Sequence, residues 1–407
     1  MVRQPMGSRF LAGCLAFLLF LVLVGACVLY FLQYQQKLEV EEAHKRALSL
    51  YHQPSRSDKE SIDPEKQAHA LAIWRNEVIP KGGDAGVVSE ALFLVAEEIL
   101  EEDPEAARNY YQRLRDQFPD SARRNAATAR LAEFEIRSNP KAAQALYGEV
   151  LNTTAGADLK AAALLGLTQM EDDADGYPPP DIRERYQKII REYPDTTAAA
   201  TARERMNRIN RTLIFEERSP NEFKKIYIIQ RGDILMKIAN EYLTTVYLLE
   251  DLNGIRATRI HPNQSILVPT WGKVYAVVDK SEYLLMVFRE EDSSFLIQYE
   301  VGIGELEWKT KAGEYMISNK EIHPPWPDPE TGRLLQYEDP SYPLGERWLG
   351  LSPPGRPKTR TGLGIHGTNE PETIGTSSSA GCVRLRNEDV VEAFGVLRLK
   401  SRVVIQD

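Results

Sequence analysis

Hydrophobic positions change their period along this chain, and each change predicts a different kind of element. From Phe10 to Leu32 the sequence FLAGCLAFLLFLVLVGACVLYFL is uncharged and almost wholly apolar. As a helix rising 1.5 Å per residue it spans roughly 34 Å, enough to cross a hydrocarbon core. From about residue 38 to 215 apolar positions recur at helical spacing among Ala, Glu, Arg and Leu. Three stretches in that region align, YYQRLRDQFPDSARRNAATARLAEF, LYGEVLNTTAGADLKAAALLGLTQM and RYQKIIREYPDTTAAATARERMNRI. They bring Tyr111, Tyr147 and Tyr186 into register at steps of 36 and 39 residues. FPDS at Phe118 and YPDT at Tyr193 interrupt the pattern, because Pro stops a helix and Asp with Ser or Thr caps the next. Helix pairs repeated at this period predict a solenoid, in which each pair buries its apolar face only against its neighbours. The aromatic and Ala positions read as packing residues.

The period then shortens. Ile226 to Pro269 opens with an alternating strand, followed by RGD, where Gly232 suits a turn and Asp233 a helix cap. Two short amphipathic helices and the strand QSILVP complete a strand–helix–helix–strand unit. Beyond Lys273 the texture is β-rich. KVYAVVDKSEYLLMVF predicts a hairpin, SFLIQYEVGIG and AGEYMISNK continue the strands, and RVVIQD ends the chain as another. Between them, Glu321 to Leu351 contains six prolines, which exclude it from central strands and predict an ordered loop. The sum is a multidomain α+β chain with boundaries expected at 1–36, 37–215, 224–270 and 273–407.

Charge and cysteine usage narrow the function. A net charge of −9 over 407 residues, with no basic stripe, argues against nucleic acid. Arg3 and Arg9 precede the apolar run, so the positive-inside rule leaves a cytoplasmic stub and sends everything after Gln33 outward. LVGAC at Leu23 to Cys27 resembles a lipoprotein processing site, but the apolar run continues through VLYFL where a mature lipoprotein turns polar. An uncleaved single-pass inner-membrane anchor with a periplasmic body is therefore expected. Cys14 and Cys27 lie in the anchor, which leaves Cys382 without an intramolecular disulfide partner in the exported part.

Cys382 sits in GIHGTNEPETIGTSSSAGCVRLRNED, sixteen residues after His366. A thiol needs a base or a positive environment to attack a carbonyl, and His366 is the candidate base. Gly381 leaves the backbone open, and main-chain N–H groups there suit an oxyanion site. On the residues alone, a packed and inert cysteine is the favoured reading.

Two resemblances bear on the choice. Tyr227, Gly232, Asp233, Asn253, Gln264 and Pro269 fall where the lysin motif (LysM), a module that binds N-acetylglucosamine-containing glycans, has its core and turn residues. The pattern of His-Gly, a spacer and Ser-x-Gly-Cys-Val-Arg resembles the L,D-transpeptidase catalytic domain, and KTKAGEYMI, YPLGERWLGLS and NEDVVEAF follow in that family's order. The helical region more weakly resembles a degenerate tetratricopeptide array, a surface suited to a protein partner. The transpeptidase resemblance implies Cys382 as nucleophile and His366 as base, with Gly367 orienting the imidazole through its backbone. It further implies that Gly381 helps form the oxyanion hole, and that Arg384, Thr368 and Trp348 meet the substrate. Ser379 falls in the same substrate-binding segment, where it shapes the turn. Trp348 reads equally as core, and Arg384 as a structural ion pair. Peptidoglycan is the implied partner, through stem peptides and glycan strands, and neither metal nor cofactor is implied. One departure stands out, since Ala380 replaces the His common before Gly-Cys. His261 and His323 fall outside the motif and read as surface or loop residues. The same acyl-enzyme serves transfer to an amine or hydrolysis as an L,D-carboxypeptidase, and a silent wall-binding scaffold is the alternative from another class.

Overall fold

The computed structural model describes residues 7–53, 63–172, 178–304, 310–328, 331–356, 362–379 and 381–407, with side chains from residue 19 onward and without that of Ser379; Ala380 lies outside these ranges. Two units are formed, Met1–Glu171 and Asp172–Asp407.

The first unit begins with one helix, α1 (Gly7–Tyr51), which runs unbroken through the boundary expected at residue 36. Its apolar side chains from Leu19 to Leu32 are exposed, whereas Val40, Ala43 and Ala47 are buried. The buried stripe packs on α2 (Pro64–Ile73), a π-turn at Trp74–Val78 and α3 (Ala85–Ile99). Then follow α4 (Pro104–Gln117), α5 (Arg124–Ser138), α6 (Pro140–Leu151) and α7 (Ala157–Glu171), each packed on the next. Helix starts are set locally: Asp63, Asp84, Asp103 and Asn139 accept from the first free backbone N–H groups, and Pro64, Pro104 and Pro140 occupy first-turn positions that need no donor. The repeat seen in the sequence has a physical counterpart. Glu97 accepts from Tyr111 Oη and Arg130, 14 and 33 residues later. In the second unit Asp172 accepts from Tyr186 and Arg205 at the same two spacings. In the intervening repeat the Arg position is Gly166, and the Tyr147 ring occupies the space a side chain would fill.

The second unit begins with α8 (Pro180–Glu192) and α9 (Thr197–Arg211), the last pair of the expected helical region. Thr196 caps α9, as YPDT predicts. This pair covers a sheet edge. Gln187, Asn207 and Asn210 make hydrogen bonds of 2.7 to 2.9 Å with backbone groups of Phe295, Leu296 and Gln298, so the outer strand presents fewer unpaired groups. Next comes the small module of β1 (Lys224–Ile228), α10 (Leu235–Glu241), α11 (Val246–Asn253) and β2 (Ser265–Pro269), its strands antiparallel with Tyr227 opposite Ile266. Here the expected role of Asp233 is corrected. It does not cap α10 but accepts from Gln230 N at 2.8 Å and Tyr227 Oη at 2.7 Å, closing the turn before the helix.

The remaining chain builds a curled sheet from β3 (Val274–Asp279), β4 (Leu284–Arg289), β5 (Phe295–Glu300), β6 (Ile303–Gly304) and β7 (Gly313–Ile322). The proline-rich excursion contributes a two-residue ladder, β8 (Trp326–Pro327) with β9 (Leu334–Leu335). Then come β10 (Arg347–Ser352), β11 (Gly364–His366), β12 (Ser377–Ser379), β13 (Val383–Arg384), α12 (Asn387–Val396) and β14 (Arg402–Gln406). The large sheet runs β13-β11-β10-β7-β14-β3-β4-β5. Residues far apart in sequence thus become neighbours, and the core they bury includes Val278, Leu285, Ile317, Leu349, Ile365, Val383 and Val403.

Candidate active site

The site lies at the β13 end of the sheet. β11 and β13 pair in parallel, Ile365 opposite Val383 and His366 opposite Arg384. Ile365 and Val383 are fully buried in the core. Alternation then turns His366 and Arg384 to the other face, and Cys382 joins them there. All three line a cleft of about 950 Å³, whose far wall is formed by the proline-rich loop through Pro324, Trp326, Pro343 and Leu344. The parallel ladder is what brings together His366 and Cys382, sixteen positions apart in the chain.

His366 is buried, and its Nδ1 lies 2.6 Å from the Gly367 carbonyl oxygen. A carbonyl only accepts, so Nδ1 carries the proton and the lone pair of the neutral ring resides on Nε2. Burial holds the imidazole down to about 4, helped by the positive charge of Arg384 and opposed by the Gly367 contact. Cys382 is half-buried, and its Sγ donates to Gly362 O at 3.4 Å. Burial pushes the thiol up, against smaller opposing effects of backbone and of Arg384. At rest the thiol and the imidazole that share the cleft are therefore both neutral. Trp348, opposite His366 on β10, stacks on the imidazole with ring centroids 5.6 Å apart. Trp348 thus lines the cleft while packing on the imidazole.

The turn before the thiol needs its glycine. Gly381 has φ +104°, a region that side chains disfavour. Its carbonyl accepts from Thr310 Oγ1, which in turn accepts from Gly304 N. Arg384 is buried, donates to Ser378 Oγ at 2.5 Å, and lies 3.5 Å from Glu370. Ser379 pairs through its backbone with Gly304, while its neighbour Ser378 lines the cleft. Thr368 is buried against the cleft, and its Oγ1 accepts from Glu370 N. His323 is a loop residue with a structural partner, lying 3.0 Å from Glu346; His261 is exposed. Among the described residues no group of His, Cys, Asp and Glu is placed to hold a metal.

Reading by sequence missed Asn387. Its Oδ1 accepts from Glu346 N at 3.1 Å and Thr368 N at 3.3 Å, and its Nδ2 donates to Thr368 O at 2.9 Å. A Cβ on Gly345 or Gly367 would stand 2.0 or 2.2 Å from that Oδ1, so both glycines are required by the approach of the amide. Asn387 thereby ties down the backbone that holds the His366 proton. The only local signal was a Gly after His366, whose counterpart lies 20 residues further on.

Residues 273–405 match the L,D-transpeptidase catalytic domain family (YkuD), and residues 227–269 match the LysM domain. The putative L,D-transpeptidase YkuD of Bacillus subtilis is 26% identical over 182 residues, 44% of this chain and 97% of that protein. The putative L,D-transpeptidase YqjB of the same organism is 31% identical over 139 residues, covering 34% of this chain and 74% of its own length. Among solved structures, an L,D-transpeptidase from Mycobacterium smegmatis is 16% identical, covers 36% of this chain and aligns with a TM-score of 0.27. This chain spans 64% of the length of that one.

Proposed function

The chain belongs to the L,D-transpeptidase family and is a peptidoglycan L,D-transpeptidase, and on that premise we propose that Cys382 is its nucleophile and His366 its base. The observation that carries this reading is the β11–β13 ladder, which faces both side chains into one cleft with Nε2 of the imidazole left to accept a proton.

Substrate binding desolvates the pair and brings a carbonyl to the thiol. His366 Nε2 takes the thiol proton as Sγ attacks the L-centre carbonyl of the third residue of a tetrapeptide stem. The negative charge on oxygen is met by the N–H groups of Gly381 and Cys382, held by the turn that Thr310 anchors. The proton passes to the leaving amine, D-alanine departs, and a thioester remains. An amine of a second stem then attacks the thioester and restores the thiol. Arg384 receives a donor carboxylate in exchange for its weak contact with Glu370, while Ser378 keeps it oriented. Trp348 and Thr368 shape the wall beside the scissile bond. Ser379 supports this segment through its backbone pairing.

The organisation fits work on a polymer outside the membrane. Residues 1–36 supply the stub and inner-membrane anchor, 37–215 a tetratricopeptide-like region for a protein partner, 224–270 the glycan-binding module, and 273–407 the periplasmic catalytic domain. Tethering raises the effective concentration of the site at the wall. Incubating the chain with peptidoglycan and analysing the muropeptides tests the reaction. Crosslinks joining the third residues of two stems support transfer, tripeptides alone support hydrolysis, and products unchanged by Cys382→Ala would refute the nucleophile.

A further inference from the structure

The module at residues 227–269 is not an appendage. Leu248 and Leu252 of α11 are buried within the core of the catalytic sheet, and Thr245 Oγ1 donates to Gly395 O at 2.8 Å. Tyr247 packs edge-on against Phe394 of α12, with centroids 5.4 Å apart. Arg347, the first residue of β10 and one position from Trp348, lies over both rings, 5.2 Å from Tyr247 and 5.7 Å from Phe394. Its Nη2 reaches Tyr247 Oη at 3.2 Å.

The other end of the guanidinium grips the cleft wall. Arg347 Nη1 donates to Glu346 O at 2.7 Å and Glu346 Oε2 at 3.0 Å. The same carboxylate gathers the wall loop, with His323 Nε2 3.0 Å from Oε2 and Tyr337 Oη donating to Oε1 at 2.5 Å. His323 and Tyr337 stack with centroids 3.4 Å apart. The entry, the middle and the exit of the proline-rich wall thus meet at Glu346, and Glu346 is held by an arginine that the module helps to bury.

We propose that Arg347 is a positioning residue for the stem-peptide cleft whose grip on Glu346 depends on Tyr247, so that the LysM module braces the wall that closes over the donor peptide. One body then reads the glycan strand and its stem together. This rests on the transpeptidase reading of the cleft. The physical reason is desolvation of one partner: with Tyr247 in place the Arg347 guanidinium is buried while it holds the half-buried Glu346, and without the ring the guanidinium is opened to solvent and the pair is screened more strongly. The ring face contributes a further cation–π attraction.

The test uses the full-length chain in detergent with a free tetrapeptide donor, which carries no sugar for the module to bind. Tyr247→Leu should raise KM about tenfold with kcat within about twofold, and should speed hydrogen exchange of residues 323–346 about tenfold while β3 to β5 keep their protection. Tyr247→Phe, which retains the ring, should recover most of both effects. Arg347→Lys, which keeps the charge but loses the fork, should reproduce the pattern of Tyr247→Leu if the leucine variant unfolds. Unchanged exchange across 323–346 in a folded Tyr247→Leu protein would overturn the brace, and faster exchange with unchanged KM would overturn its role toward the donor. A wild-type chain that turns over no tetrapeptide would instead sink the transpeptidase reading, while the exchange comparison would still decide the coupling.

Discussion

Replacing Asn387 by an aspartate changes one group and should make stability depend on pH in a direction the geometry fixes. The amide oxygen accepts from Glu346 N and Thr368 N, and the amide nitrogen donates to Thr368 O at 2.9 Å. An ionised carboxylate in its place keeps the acceptor but sets an oxygen against the Thr368 carbonyl. Losing that donor bond and opposing two acceptors costs about 2–3 kcal/mol. Protonation returns a donor, so the carboxyl of the folded variant is held above its ordinary value. Between the ordinary and raised values the folded state holds a proton that the unfolded state has released, so stability falls as pH rises through that window and returns below it. A 2 kcal/mol penalty corresponds to a shift of about 1.5 pH units. Urea unfolding at pH 8 and 4.5 should therefore show the deficit against wild type shrinking by about 1 kcal/mol on acidification, the full recovery of about 2 kcal/mol coming only below the ordinary carboxylate value of about 3.9. Asn387→Ala strands two backbone N–H groups and should cost about 2–5 kcal/mol with no such recovery. Asn387→Ala also releases the Thr368 N–H of the peptide that carries the Gly367 carbonyl and should lower kcat about tenfold, whereas Asn387→Asp keeps that contact and should lower it less. A deficit for Asn387→Asp that is the same at both pH values would refute the assignment of the three contacts.

Three further tests address the rest of the chain. Burial pushes the Cys382 thiol up and holds His366 down to about 4, so alkylation by iodoacetamide should quicken about tenfold per pH unit from 7 to 9; a constant rate between pH 5 and 8 would instead reveal a resting thiolate–imidazolium pair. Lys320 donates to Leu397 O at 2.7 Å and is brought by burial down to about 7, so its unfolded form binds a proton between pH 7 and about 10.5 that its folded form does not. Its contribution to stability should rise with pH above 7 and lie flat below, and urea titrations of Lys320→Met should lack that rise. In the helical unit, Gly166→Ala would place a Cβ 2.4 Å from Tyr147 Cζ and should destabilise by about 1–3 kcal/mol, read by thermal loss of helical circular dichroism; Tyr147→Leu in the same chain should recover part of it.

What the sequence determined by itself is what acts over a few residues or through a fixed period. The apolar run, the 36- and 39-residue steps, the Thr196 cap in YPDT and the alternation of the strands all depend on local geometry, so they stand legibly in order along the chain; FPDS, read the same way, supplies no side-chain cap to α5. His366, Gly381 and Cys382 could be singled out because their residue types limit what chemistry they can perform. Tertiary structure decided the rest. Only the sheet order shows that β11 lies beside β13, that α8 and α9 fold with the second unit, and that Ser378 is the serine beside Arg384. Asp233 looked like a cap until Tyr227 and Gln230 proved to be its partners. Asn387 and the Arg347–Tyr247 contact join residues 20 to 100 positions apart, with nothing in their local sequence to mark the pairing. Such contacts exist because many weak burials, summed over the core, fix which backbones meet, and a pattern read within one element carries no part of that sum.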